Sequence, residues 1–319
     1  MPELVVPSWA WALLAVVMIV LIAIDLFGHR GDRIDSRRGA LAWSAVWIAA
    51  AVAFGGFVAV SFGAEAAEQY FAAYLLEKSL SVDNLFLFLV VFGALGIPAT
   101  EQRRVLTWGI IGALVTRALF IALGAALLQR WHEVTYVFGA ILLVTAIKML
   151  RSGDGSSDRL LGWLERYLPW TRERSGHRFV VKSGGRWLAT PLLVALLAIE
   201  LTDVMFALDS IPAAFAVSEE PFVVYSSNVF AVLGLRALYV VLLGALVQLR
   251  YLKYGLSAVI AFAGAKMLAA PWVTISPLMS VGVIAVVIGA AVIASVIATR
   301  RDRTQSALPS DEAAQVPQQ

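Results

Sequence analysis

Long apolar runs recur from one end of the chain to the other. Most approach or exceed the roughly 20 residues that a helix needs to cross a bilayer. In lipid, only helices and closed barrels satisfy every backbone polar group. Barrel strands alternate in hydrophobicity over about ten residues, and these runs do not alternate. The predicted class is therefore all-α: a polytopic transmembrane helix bundle of about nine spans. Composition agrees, since 60% of the 319 residues are hydrophobic and 15% are charged, against roughly 25% charged in a soluble domain.

The spans are expected near 8–28, 40–62, 70–96, 105–129, 133–150, 188–217, 222–249, 254–270 and 277–299. Basic loops alternate with acidic or neutral ones. His29, Arg30, Arg33, Arg37 and Arg38 follow the first span, and Glu65 and Glu68 follow the second. Arg103 and Arg104 follow the third, eight Lys/Arg lie in 151–187, and Glu219 and Glu220 follow the sixth. The positive-inside rule then puts the N-terminus outside and the C-terminus in the cytoplasm of a bacterial inner membrane. Met1–Ser8 carries Glu3 and no basic n-region, so the first run is expected to remain as a span rather than be cleaved. In the loop at 151–187, Leu160, Leu161, Leu164, Tyr167 and Leu168 have helical spacing. They predict a short helix on the inner membrane surface, with a solvated linker as the plainer alternative. Residues 301–319 read as a polar, disordered cytoplasmic tail.

Two stretches resemble each other. Glu77-Lys-Ser-Leu-Ser-Val-Asp83-Asn84 and Asp203-Val-Met-Phe-Ala-Leu-Asp209-Ser210 each read acid, five residues, aspartate, small polar residue. The match continues from Arg117-Ala-Leu-Phe to Arg236-Ala-Leu-Tyr, and from Leu123-Gly-Ala to Leu243-Gly-Ala. It ends with Lys148-Met-Leu against Lys266-Met-Leu. Each unit holds three spans, 70–150 and 188–270. An odd count makes the second unit enter the membrane from the opposite side, the inverted-repeat arrangement of many secondary transporters. Spans 1 and 2 (within 1–69) and the last span (271–300) are then additions.

A carboxylate within a span is costly unless paired, hydrated or bound to a cation. The candidates are Asp25, Glu77, Asp83, Glu200, Asp203 and Asp209, with Asn84, Ser210, Ser81 and Thr202 as neutral oxygens. That is a hard-ligand set, suited to Mg, Ca or Mn rather than copper or zinc. Glu200 and Asp203 share a helix face. Asp203 and Asp209 lie about 120° apart on a regular helix, so meeting one ion requires an interruption. Pro212 is the expected cause, freeing the carbonyl of Leu208. A second reading stays open: Arg117, Arg236, Lys148 and Lys266 could form buried ion pairs that lock helices together. The same bases could also compensate the acids when a metal leaves.

The chain has no cysteine, which removes disulfides, thiolate metal sites and thiol redox chemistry. There is no P-loop, GxSxG or HExxH motif, so enzymatic turnover and ATP hydrolysis are not expected. No permanently bound cofactor and no nucleic-acid partner are expected; the oligomeric state stays open.

At Glu77-Lys-Ser-Leu-Ser-Val-Asp83-Asn84-Leu-Phe-Leu-Phe and Thr202-Asp203-Val-Met-Phe-Ala-Leu-Asp209-Ser210-Ile-Pro212 the chain resembles the TerC family of integral membrane proteins, closest to its Alx-type branch. Asp25 in Ile-Asp-Leu-Phe fits the same pattern. The family was named for tellurium resistance, and its better-supported role is manganese efflux. The resemblance implies Mn²⁺ as the transported ion, with Glu77, Asp83, Asn84, Asp203, Asp209 and Ser210 handling it. The expectation is an alternating-access carrier in the bilayer, with protons as the coupling ion. A scaffold for partner proteins and a tellurite oxyanion exporter are the rival readings.

Overall fold

The computed structural model describes residues 6–28, 37–131, 133–151, 169–171, 178–183, 185–245, 251–273 and 275–306, together with Arg166 and Gly176. Some side chains inside helices, Asp83 and Asp209 among them, are outside the described set. The proposed surface helix at 160–168 also falls almost wholly outside it.

The described chain is almost entirely helical. In order come α1 (Ser8–Gly28), α2 (Arg37–Phe62), α3 (Ala64–Ala94), α4 (Ala99–Arg130), α5 (Val134–Arg151), α6 (Pro191–Val217), α7 (Pro221–Leu233), α8 (Leu235–Ala245), α9 (Leu252–Ala269) and α10 (Pro277–Ser306). Between α5 and α6 a two-stranded hairpin joins β1 (Val180–Ser183) to β2 (Arg186–Ala189). Among the described residues, six windows are long and apolar enough to cross a membrane: they lie in α1, α2, α4, α6, α7–α8 and α10. The apolar parts of α5 and α9 are shorter. α3 is 31 residues long but carries Glu77, Lys78 and Asp83 in its middle. α10 continues to Ser306, beyond the expected end of the last span at 299.

Local chemistry sets the turns. α3 stops where Gly96 adopts φ 60°. Gly96 N–H donates to Gly93 O at 3.1 Å and Ile97 N–H to Phe92 O at 2.9 Å, which closes the helix with a left-handed glycine. Pro98 then forces the chain out of helix and α4 begins one residue later. Pro191 and Pro221 sit at the first turns of α6 and α7, where a missing N–H costs nothing.

α7 is the innermost helix. It packs on α1, α2, α3 and α4, and nearly all of its residues are buried. Being covered all round, it needs no polar face. Ser226 and Ser227 return their hydroxyls to the carbonyls of Val223 and Val224.

Two departures from the sequence reading concern helix breaks. Pro212 does not interrupt α6, which runs unbroken from Pro191 to Val217. The lost hydrogen bond is tolerated because Ala213, Ala214 and Phe215 are buried on both sides of the bundle and hold the backbone in register. The break falls instead at Gly234, splitting the expected span 222–249 into α7 and α8. Lys78 of α3 reaches this break, and its Nζ donates to Ala231 O at 3.1 Å. That carbonyl belongs to the last turn of α7, where a cation is favoured by the helix dipole. A Cβ on Gly234 would come within 2.7 Å of Lys78 Nζ, so glycine makes the room for the ammonium.

α5 and α9 form the closest helix pair. Gly139 and Gly264 lie against each other: a Cβ on Gly264 would stand 2.9 Å from Gly139 O, and one on Gly139 would stand 3.2 Å from Gly264 O. Seven residues further along α5, Ala146 O accepts a hydrogen bond from Ser257 Oγ at 3.2 Å. Contacts that advance on one helix and retreat on the other make the pair antiparallel. Small residues at such a seam let backbones approach. Gly264→Val should therefore lower stability by about 1–3 kcal/mol through overpacking, read as a lower unfolding temperature of the purified protein. Gly282→Ala, with nothing within 4 Å of the added carbon, should leave that temperature nearly unchanged.

Candidate functional site

Four helices carry buried polar side chains, and hydrogen bonds join Ser81, Glu77, Arg117, Asp203 and Asn228 among them. On α3, Glu77, Ser81 and Asn84 recur at positions i, i+4 and i+7 and share a face. On α6, Asp203 and Ser210 are likewise seven residues apart. α4 supplies Arg117 and α7 supplies Asn228. All seven side chains are buried, and Arg117 is only 1% exposed.

Arg117 is the hub. Its Nη2 and Nε donate to Asp203 Oδ1 and Oδ2 at 2.9 and 3.3 Å, a two-point grip on one carboxylate. Its Nη1 donates to Glu77 Oε1 and, at 3.0 Å, to Asn228 Oδ1. Four of the five guanidinium N–H donors are thereby engaged. One base thus joins the leading acids of both repeated motifs. Two carboxylates against one guanidinium leave one excess negative charge.

The remaining capacity of the cluster is mostly acceptor. Glu77 Oε2, Asn84 Oδ1 and Ser210 Oγ are buried without a hydrogen-bond partner among the described residues, as is Asn228 Nδ2. A buried polar atom left unpaired costs roughly 1–3 kcal/mol. Asn84 and Ser210 occupy matching places in the two motifs, each directly after the second aspartate. Asn84 and Ser210 each lie seven residues, about 10 Å at helical rise, along their helices from the acids that grip Arg117, and buried oxygens of this kind are hard ligands. The side chains of Asp83 and Asp209 lie outside the described residues; their backbones belong to α3 and α6. Among the described residues, no group of three or more His, Asp or Glu could hold a metal ion.

The other expected residues are dispersed. Glu200 is half-buried one turn before Asp203. Its carboxylate lies against α4 at Gly112, where a side chain would collide with both carboxylate oxygens. Asp25 and Arg236 form a separate buried pair, with Nη1 of Arg236 3.3 Å from Asp25 Oδ2. This joins α1 to α8. Lys266 donates to Ser280 Oγ at 3.0 Å, and Lys148 is exposed. Neither lysine forms an ion pair with a described carboxylate, so compensation of the acids falls to the two arginines among the described residues. Sequence reasoning overlooked Asn228, the one carboxamide in α7. Lys78, which the sequence offers as a snorkelling or paired residue rather than a ligand, is paired with the carbonyl of Ala231.

Removing one partner of a buried ionic network leaves an uncompensated charge, at a cost of about 3–5 kcal/mol. Arg117→Leu should destabilise the protein by that order. Arg117→Lys should rescue little, since an ammonium cannot grip a carboxylate at two points. Combining Arg117→Leu with Glu77→Gln and Asp203→Asn should recover much of the loss. Thermal unfolding of the four proteins in one detergent checks this; equal losses in the single and triple variants would contradict it.

Residues 62–303 match the family model described as "Integral membrane protein TerC family". An uncharacterised membrane protein of Myxococcus xanthus is 45% identical over 302 residues, covering 93% of this chain and 95% of its own. A protein of Escherichia coli K12 whose name includes "membrane-bound redox modulator Alx" is 40% identical over 288 residues, 86% of this chain and 90% of its own. The "Tellurium resistance protein TerC" of Serratia marcescens is 39% identical over 274 residues, 77% and 79% of the two chains. No solved structure matches. The family match spans both acidic motifs and every helix of the polar cluster, and the chain belongs to the TerC family of integral membrane proteins.

Proposed function

We propose that this protein is a divalent-cation exporter of the bacterial inner membrane, with Mn²⁺ as its cargo. The observation that carries this reading is the set of buried, unpartnered oxygens on Glu77, Asn84 and Ser210, drawn from both motifs on the two helices whose leading acids Arg117 joins. The acids Asp83 and Asp209, which precede Asn84 and Ser210 in the chain, supply the charge that draws a divalent ion into lipid. Arg117 holds Glu77 and Asp203 when the site is empty, so that the unloaded carrier is not burdened by unpaired carboxylates.

The α5–α9 seam supports an inverted repeat. Counted back from the matching Lys-Met-Leu segments, Gly139 corresponds to Ser257 and Ala146 to Gly264. Gly139 meets Gly264 while Ser257 meets Ala146. Position contacting counterpart in both directions is what a two-fold relation produces. Two such units rocking about a shared site give alternating access. With no nucleotide-binding motif in the sequence, inward proton flow is the energy source, and protons compete with metal for the carboxylates.

The relative named for tellurium resistance raises an oxyanion as the alternative cargo. That reading needs a free buried guanidinium. Four donors of Arg117 are engaged by acceptors of the protein itself, which favours the cation. The relative named a redox modulator suggests redox work, yet this chain has no thiol to perform it. A scaffold role would leave the orphaned oxygens without a purpose.

Cellular manganese, measured with calcium, magnesium and zinc in the same digest, tests the proposal. Expression in cells lacking manganese exporters should lower manganese selectively, by several-fold under manganese loading. Asp83→Asn and Asp209→Asn at equal membrane levels should abolish the fall. Unchanged metal content, or variants that act like the parent, would leave the scaffold as the better reading. In inside-out vesicles, metal uptake should rise with an outward-directed proton gradient; uptake indifferent to that gradient would remove the coupling.

A further inference from the structure

The hairpin between α5 and α6 has no part in the polar cluster, yet it is built with care. Its register pairs Val180 with Ala189, Val181 with Leu188, Lys182 with Trp187 and Ser183 with Arg186. Paired residues share a face, and faces alternate along each strand. Val180, Lys182 and Trp187 therefore project from one side, while Val181 and Leu188 turn to the other and are less exposed. Trp187 is 67% exposed and Val180 is 40% exposed. Arg178, Lys182 and Arg186 are exposed as well. From Arg178 to Thr190 the sequence holds these three cations and no acid.

The base of the hairpin is rigid. Thr190 Oγ1 donates to the carbonyls of Arg178 and Phe179 at 2.7 and 3.0 Å, and its N–H donates to Phe179 O at 3.0 Å. Ala189 N–H donates to Pro169 O, and Thr171 N–H donates to Ala189 O. The guanidinium of Arg104 on α4 lies 5.1 Å from the centroid of the Phe179 ring. Pro191 then opens α6. Trp187 is thus fixed four residues ahead of a membrane-spanning helix, within about 13 Å of its first residue at strand rise. An indole that close to the start of a span can reach the headgroup region.

We infer that the face carrying Val180, Lys182 and Trp187, continued by the exposed Arg178, docks on anionic phospholipid headgroups of the leaflet from which α6 starts. The cations meet the phosphates and the indole sits among the carbonyls of the interface. The occupant is lipid rather than protein because the patch is short, uniformly basic, and bound to the end of a span. Since the hairpin is tied to α4 through Arg104 and to α6 through Thr190, bound headgroups would also steady the two helices that carry Arg117 and Asp203. The inference stands independently of the transported ion.

The absence of native cysteine allows a unique label. The full-length protein with Val180→Cys, carrying an environment-sensitive fluorophore, is reconstituted in nanodiscs of phosphatidylcholine alone or with a minority of phosphatidylglycerol. The anionic lipid should shift the emission to the blue and raise the unfolding temperature. High salt should reverse the spectral shift. Adding Arg178→Gln and Lys182→Gln, or the charge reversals Arg178→Glu and Lys182→Glu, should abolish both responses while the chain still folds in phosphatidylcholine. Equal emission in the two lipids, or variants that keep the response to phosphatidylglycerol, would overturn the inference. A probe that stays aqueous in both lipids would do so too, and would leave the face to a protein partner.

Discussion

Arg117 carries the interior of this protein. A guanidinium that is 1% exposed in the middle of an apolar bundle is affordable only because two carboxylates and a carboxamide converge on it. Those partners come from three other helices, α3, α6 and α7. The hub therefore fixes how the two repeated motifs face each other. It also leaves the cluster with an excess of negative charge and of acceptors. Both are what a site for a hard cation requires and what a purely structural ion pair does not.

The rest of the bundle is arranged so that this centre can exist. α7 is buried all round and brings Asn228 to Arg117. It ends at Gly234, where Lys78, the neighbour of Glu77, satisfies the carbonyl of Ala231. Beyond the break, α8 carries Arg236 to Asp25 on α1. The two arginines at matching places in the repeats therefore differ in their company. Arg117 binds acids from both repeated motifs, whereas Arg236 binds an acid from the first helix, which lies outside residues 62–303 that match the family model.

Much of this was legible because lipid leaves few choices. Apolar length located α1, α2, α4, α6 and α10 closely, and charge within apolar runs singled out Glu77, Asp203 and Arg117 before any geometry was known. What escaped was set by tertiary context. Pro212 read as a helix breaker, but buried neighbours hold α6 together, and the break lies at Gly234, where an incoming ammonium replaces the missing bond. Lys148 and Lys266 read as counterions by their place in the repeat. Lys266 instead meets Ser280, and Lys148 is exposed. The hairpin is encoded in Val-Val-Lys-Ser-Gly-Gly-Arg-Trp-Leu, two short runs around a Gly-Gly turn, within a loop expected to hold only a surface helix or a solvated linker. Partner choice for a buried arginine cannot be read from spacing, because its acids lie 40 and 86 residues away.

The claim that matters most is that the two motifs together form one cation site. Titration of Mn²⁺ into the purified protein, followed by the electron paramagnetic resonance of the free ion, tests it without any transport step. The parent protein should remove the free-ion signal saturably, and Asn84→Ala combined with Ser210→Ala should weaken that binding about tenfold or more, the scale of about 1.4 kcal/mol or above for lost ligands. Binding as tight in the double variant as in the parent would contradict the account.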